Sequence, residues 1–429
     1  MTTHEARYRY RLRVGPSEAL ALKGVFDSCK FVWNQALGRW SDLWRYEHLS
    51  LSHKDMCAEL TDWRSRFEWL AASPSVPQQQ VLRDLSRSIS AFLDKSNPAG
   101  RPTFKKRGDL FATARWTKSG FKVAGTGLEL SKPGCRGDRL EVAVAGRRLP
   151  LRVVWSRPLP SEPTSVTIKR DVLGHYWASF VVRVEVTESP TSRTGRCSGL
   201  DLGLSMFATT EDPSTDIANP RFARAAAKAM ARSQRNVASK KMGSANRAKA
   251  KGRLARVAAQ VANQRADFAH KAARALLASY DTIGVEELAV KNMMASGKRA
   301  GDKRSSGRAR RCKAGLNRAI ADAAWSQFRS ALEWQATKAG KEIVAFPAKD
   351  TTQRCSCCGT KAKPRIELSD RVFECRVCGL VLGRDRNSAR NLNPLRIGAS
   401  AGGSEPVDAA APEGVDGKKT KIPAGTLAA

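Results

Sequence analysis

Residues 355–392 read CSCCGTKAKPRIELSDRVFECRVCGLVLGRDRNSARNL. This stretch decides the architecture, because it holds two Cys-x-x-Cys knuckles, Cys355/Cys358 and Cys375/Cys378, with 16 residues between them. Four thiolates at that spacing can surround one Zn2+ as a tetrahedron, and a closed shell of four sulfurs leaves the ion no open position. The expected role is a structural zinc ribbon. Gly359 and Gly379 follow the knuckles, where a tight turn needs a permissive backbone. Cys357 lies inside the first knuckle and is read as a bystander, since Cys355 and Cys358 already have the standard spacing. The other five cysteines (Cys29, Cys57, Cys135, Cys197, Cys312) are scattered. A secreted disulfide scaffold is shorter and more evenly populated, so these five are expected to be small buried apolar residues.

Directly after the ribbon, RDRNSARNL starts a short helix with Asp385 at its beginning. Two more acids stand in telling places. Asp201 lies mid-strand in GLDLG (199–203), where a charge is costly unless it is used. Glu286 ends the apolar strand of TIGVEEL (282–288). Taken singly, Asp385 also serves as a helix cap and Glu286 as a solvated strand end. No spacing unites three acids so far apart; a sheet whose strand ends converge would.

The five histidines (His4, His48, His53, His175, His270) stand beside neither these acids nor the cysteine cluster. A Ser-His-Asp arrangement or a His-metal nuclease is therefore poorly supported. No Walker A motif is present, which argues against an ATP-driven machine. Three carboxylates without histidine suit Mg2+, a hard cation that takes oxygen ligands. Two such ions can activate a water and stabilise the leaving 3′-oxygen in phosphodiester hydrolysis.

Charge points to the partner. The 429 residues carry 75 Lys+Arg against 40 Asp+Glu, a net charge of +35. Such an excess self-repels without a polyanion. The cations are spread over the whole chain, with 25 Lys+Arg against five Asp+Glu in residues 221–320. That favours a long nucleic-acid track over the single basic helix of a peripheral membrane protein. Apolar residues, 41% of the chain, suffice for real cores, and the length suggests several structural units. No run approaches the ~18 apolar residues of a membrane span, and the N-terminus has no apolar signal core. A soluble cytoplasmic protein is expected.

Along the chain, residues 6–14 alternate as a strand with a basic face. Residues 15–96 read as helical. Within them PQQQVLRDLSRSISAFL (77–93) sets Val81, Leu85, Ile89 and Phe92 on one stripe, with a Gln/Arg/Ser face opposite. From 97 to 190 strands dominate, as a small barrel or sheet that residues 1–14 could join. Lys105, Lys106 and Arg107 sit beside Phe104 in a Pro/Gly-flanked segment suited to phosphate. Trp33, Trp116 and Trp177 are read first as core and second as stacking platforms. Residues 189–196 read as a linker, and α/β pattern begins at Cys197. A helix is expected over 316–340, with Ala321, Trp325, Phe328 and Leu332 on one stripe. Residues 297–311 form a basic loop, and 397–429 a disordered tail.

GLDLGLSMFAT (199–209), VEEL (285–288), the paired knuckles and RDRNSARNL, in that order, resemble the transposon-encoded TnpB proteins and the compact type V CRISPR effector nucleases related to them. YRYRLRVGPSEALALKGVFDSCKFVWNQAL (8–37), GRPTFKKRG (100–108) and SVTIKRDVLGHYWASFVVRVEV (165–186) resemble that family too, so the likeness spans roughly 6–395. It implies a multidomain α+β fold. A wedge-type β-barrel (1–14 and 97–190) would carry a helical recognition insert (15–96). An RNase H-like RuvC α/β domain (197–349 and 381–396) would follow, with a four-cysteine zinc ribbon (350–380) inserted. By motif match, Asp201, Glu286 and Asp385 would bind two Mg2+, and Cys355, Cys358, Cys375 and Cys378 one Zn2+. Gln79, Gln80 and Arg83 would face a short recognised DNA motif. The implied partners are a guide RNA and double-stranded DNA, for a monomer or homodimer without membrane attachment. The implied activity is RNA-guided DNA cleavage; guided binding without cutting is the alternative, then an unguided nuclease or transposase. Two departures stand out: Gly383 replaces a frequent Asp, and Ser388 a usual Ala.

Overall fold

The computed structural model describes residues 2–94, 96–97, 99–106, 112–124, 139–144, 146–186, 194–295, 307–367 and 369–396. Arg107, Cys135 and the expected tail 397–429 lie outside the described residues, as does most of the loop 297–311. The chain divides into two compact units, Met1–Glu185 and Val186–Ala429.

The first unit opens with β1 (Thr2–Arg13), which buries Ala6, Tyr10 and Leu12 and exposes Arg7, Arg9 and Arg13. Helices α1 (Pro16–Tyr46), α2 (His53–Arg66), α3 (Glu68–Ala72) and α4 (Ser75–Leu93) follow. Pro16 suits the first turn of α1, where a missing N–H costs nothing. Ser52 and Asp55 cap α2 reciprocally. α4 buries Val81, Leu85 and Ile89, as their spacing predicts.

The unit continues with β2 (Thr113–Thr117), β3 (Phe121–Ala124), β4 (Arg139–Val144), β5 (Arg147–Val154), β6 (Ser165–Arg170) and β7 (Tyr176–Val186). With β1 they form one seven-stranded sheet of order β2-β6-β7-β1-β5-β4-β3. Its two edges, β2 and β3, are joined by only Lys118–Gly120, so the sheet must roll until they meet. Of the expected small barrel or sheet, the described residues show a rolled sheet with no β2–β3 ladder to close it. The fully buried Trp116 fills the seam. Its indole reaches from β2 to donate to the Ala143 carbonyl on β4 at 3.1 Å, and a Cβ on Gly120 would stand 2.8 Å from its ring.

The second unit runs β8 (Cys197–Leu202), β9 (Met206–Thr209), β10 (Ile217–Ala218), α5 (Phe222–Ala238), α6 (Ala245–Ser279), β11 (Thr282–Glu286), α7 (Val290–Met294), α8 (Gly307–Ala323), α9 (Trp325–Lys338), β12 (Glu342–Phe346), β13 (Val372–Glu374), β14 (Val381–Gly383) and α10 (Arg384–Asn391). Five strands form a sheet of order β10-β9-β8-β11-β12. β8 pairs antiparallel with β9 and parallel with β11, which pairs parallel with β12. Ala272, Ala273 and Leu276 of α6 and Trp325, Phe328 and Leu332 of α9 build the core with Leu200, Ile283 and Val285 of the sheet.

The single helix expected over 316–340 is two. It breaks at Ala324, whose φ of +53° is left-handed, a conformation that non-glycine residues seldom adopt. The break shifts the stripe, and Ala321 is exposed rather than buried. No helix among the described residues is long and apolar enough to cross a membrane.

Candidate functional site

Strand register brings the first two acids together. β8 and β11 run parallel with Leu200 opposite Val285. One step further along each strand come Asp201 and Glu286. Glycine then brings the third. Gly199 and Gly284 are cross-strand partners on these strands. A Cβ on Gly199 would collide with the Ala389 carbonyl, and one on Gly284 with that of Leu392. The C-terminal end of α10 therefore lies backbone-close on the sheet, and the first turn of the helix brings Asp385 to the same strand ends.

The electrostatics agree with the grouping. The Asp201 carboxyl is pushed up to about 7, first by burial and then by the negative charges of Glu286 and Asp385. The Ser388 hydroxyl, which donates to Asp201 Oδ1 at 3.0 Å, and the charge of Arg384 work against that rise. Glu286 is also raised by burial, while the Thr351 hydroxyl donates to its Oε1 and pulls the other way. The Arg384 guanidinium pairs with Asp385 Oδ1 at 3.2 Å. Half-buried carboxylates that repel one another make a donor set suited to hard cations.

The cysteines form a tighter group. Among the described residues, only Cys355, Cys358, Cys375 and Cys378 make a potential metal-binding set, and their ligand atoms all lie within 4.8 Å of one another. The Cys355–Cys378 and Cys358–Cys375 sulfurs are 3.5 Å apart. A tetrahedron with 2.3 Å Zn–S bonds has edges of about 3.8 Å, so the quartet fits zinc. Gly359 and Gly379 both have φ of +73°, the left-handed turn that favours glycine. Cys357 is exposed and outside the quartet.

The expected nucleic-acid contacts divide. Gln79 and Arg83 are exposed on α4, but Gln80 is buried. Helices α1 and α2 and strand β2 all contact α4, so its buried arc is wider than one apolar stripe. Lys105 and Lys106 lie on a segment strapped to α1. The Trp33 indole donates to the Thr103 carbonyl at 3.0 Å, and the Asn34 amide exchanges two hydrogen bonds with the Lys105 backbone at 2.9 and 2.8 Å. The Lys105 ammonium rests 4.5 Å from the Trp33 ring centroid. Trp33 and Trp116 are core residues, whereas Trp177 has Arg9 and Arg11 over its ring at 4.8 and 5.3 Å.

Two cationic features escaped the linear reading. Arg13 pairs in register with Arg152, and Arg152 with Arg139, giving a cross-strand row of three exposed arginines. Like charges directly opposite one another destabilise a sheet. On α5, the exposed Arg224, Lys228, Arg232 and Arg235 line one face at helical spacing. That stripe was legible in the spacing; the arginine row needs the register.

Three family descriptions match parts of the chain: "Probable transposase" over residues 179–297, "Cas12f1-like, TNB domain" over 325–392 and "Helix-turn-helix domain" over 1–48. In the structure, residues 1–48 hold β1 and one long helix, α1. A Streptomyces pristinaespiralis protein named "Putative RNA-guided DNA endonuclease" is 33% identical over 404 residues, covering 92% of this chain and 90% of that protein. An Escherichia coli K12 protein, "Putative RNA-guided DNA endonuclease InsQ", is 31% identical over 387 residues, covering 90% of each. Among solved structures, a chain of a Cas12f1-sgRNA-target DNA complex shares the fold, with a TM-score of 0.55 at 12% identity over 89% of this chain and 84% of that one.

Proposed function

This chain belongs to the TnpB-type family of RNA-guided DNA endonucleases, and from that membership we propose that Asp201, Glu286 and Asp385 form the centre that hydrolyses the DNA phosphodiester bond. The observation that carries the assignment is the convergence of three carboxylates at the ends of β8, β11 and the start of α10, with the Asp201 carboxyl raised by the other two. Asp201, Glu286 and Asp385 would hold Mg2+, which would supply Lewis-acid polarisation of the phosphate and an activated water. Asp201 anchors the arrangement, and Ser388 fixes one of its oxygens. The sheet order, two antiparallel hairpin strands beside three parallel ones, supports the RuvC-like reading of the second unit. The cysteine quartet is its zinc ribbon.

In the first unit the rolled sheet is the wedge and α1 to α4 the recognition insert. Gln79 and Arg83 remain the candidates on α4 for the recognised DNA motif; Gln80 does not. The arginine row and the α5 stripe supply sequence-independent phosphate contacts, while base pairing by the guide RNA reads the target sequence. Lys105 and Lys106 join them on their strapped segment.

The test is cleavage by the full chain purified with its RNA. A plasmid carrying the matching target is incubated in Mg2+, and target binding is measured in parallel. Wild type is expected to cut, and Asp201→Ala to bind equally and not cut. A wild type that binds the target and never cuts would instead make the chain a guided binder. Cutting by Asp201→Ala, Glu286→Gln and Asp385→Asn alike would remove the acids from the chemistry.

A further inference from the structure

Several side chains join the cysteine quartet to the acids. Asn387 is fully buried, two residues beyond Asp385. Its side-chain carbonyl accepts from the Ser356 N–H at 2.9 Å, and its amide donates to the Arg354 carbonyl at 2.7 Å. One turn on, Asn391 donates to the carbonyls of Thr351 and Arg354 at 2.8 and 2.7 Å. The gripped backbone, residues 351–356, leads into the first knuckle, whose shape Cys355 and Cys358 set. The same limb carries Thr351, whose hydroxyl donates to Glu286. One limb thus holds Glu286 directly and, through two asparagines, holds the helix that bears Asp385.

We propose that the first zinc knuckle is a splint for the acid centre, with Thr351 and Asn387 as positioning residues that pass the geometry of the cysteine quartet to Glu286 and Asp385. A ribbon that only completed the fold would need no hydroxyl aimed at an acid. Nor would packing alone select Asn387: an apolar residue of its size would leave the Ser356 N–H and the Arg354 carbonyl one partner short. Residues that orient ligands from behind typically alter metal affinity about ten-fold or more when removed. The splint rests on the reading of the three acids as a cation centre, so its test includes a readout independent of cleavage.

The full chain with its co-purified RNA is titrated with Mn2+, followed by the EPR signal of free ion. Zinc content is measured by elemental analysis, and target cutting is measured against Mg2+ concentration. Thr351→Val removes one hydroxyl and keeps the branched shape. It is expected to retain the wild-type zinc content and melting temperature, to weaken Mn2+ binding about ten-fold, and to raise the Mg2+ half-saturation of cutting by a similar factor. The rate at saturating Mg2+ should change far less. Thr351→Ser restores the hydroxyl and should restore both affinities. Asn387→Ala should shift them further; if it does not fold, the Thr351 pair decides. Wild-type Mn2+ affinity and Mg2+ half-saturation in Thr351→Val overturn the splint, whatever happens to zinc content. A wild type that binds Mn2+ more tightly than Asp201→Ala but never cuts sinks the nuclease reading and leaves the splint standing. Equal Mn2+ binding by those two proteins overturns the splint together with the acid centre.

Discussion

A carboxyl that keeps its proton up to about pH 7 sits poorly in a folded protein and well beside a cation. Asp201 starts from an ordinary value of 3.8, so the folded state binds the proton more tightly than the unfolded chain. Its destabilising effect is absent below about pH 4, grows as pH rises toward 7 and is complete above it. The shift corresponds to a cost on the order of 4 kcal/mol in the metal-free protein. Asp201→Asn should therefore raise the melting temperature of the metal-free chain at pH 8 by several degrees, with little gain at pH 4, while abolishing cutting. Thermal scans at both pH values check this; equal shifts at both would count against the burial argument. Asp201 could be singled out as a mid-strand charge in the linear chain. Its partners could not, because only the Leu200–Val285 register and the docking of α10 bring them close.

At the scale of elements, the docking of α10 depends on two missing side chains. Gly199→Ala and Gly284→Ala each place a methyl group into helix backbone, which cannot yield as a flexible side chain can. Overpacking typically costs 1–3 kcal/mol, and these substitutions should cost about 3 kcal/mol or more, with cutting lost before target binding. Denaturant melts with parallel binding and cleavage assays measure the split. The α5 stripe allows a gentler test. Changing Arg224, Lys228, Arg232 and Arg235 together to alanine keeps a strong helix former at every position. The slope of log affinity for RNA against log salt should fall by roughly 3. An unchanged slope would show that α5 touches no phosphate. The cysteine quartet was legible because its four thiols and turn glycines are local in sequence. The break at Ala324 was not, because apolar periodicity continues across it and the left-handed residue is an alanine. Gln80 was misplaced for a related reason: one helix cannot announce how many neighbours will enclose it.

For the molecule as a whole, charge sets the terms. With a net +35, the RNA-free chain should gain thermal stability as salt rises from about 0.05 to 0.5 M, since added ions screen its self-repulsion. The RNA complex should lose stability over the same range as phosphate contacts weaken. Opposite salt trends in paired melts are the expected result, and parallel trends would contradict it. The row Arg13–Arg152–Arg139 is a local version of the same conflict. Arg152→Thr should stabilise the RNA-free chain while weakening RNA binding, whereas a purely structural arginine would lower both. Composition alone supported a polyanion partner. Where the cations concentrate depended on strand pairing, which no count of residues reveals.

The four-helix block leaves the rolled sheet at the end of β1 and rejoins it before β2. Entry and exit are loops, and extending a loop costs closure entropy that grows only slowly with length. That excursion can therefore change length in its loops without altering strand order, so long as α4 keeps its packing on β2. New target preferences can arise there while the chemistry of scission is inherited intact.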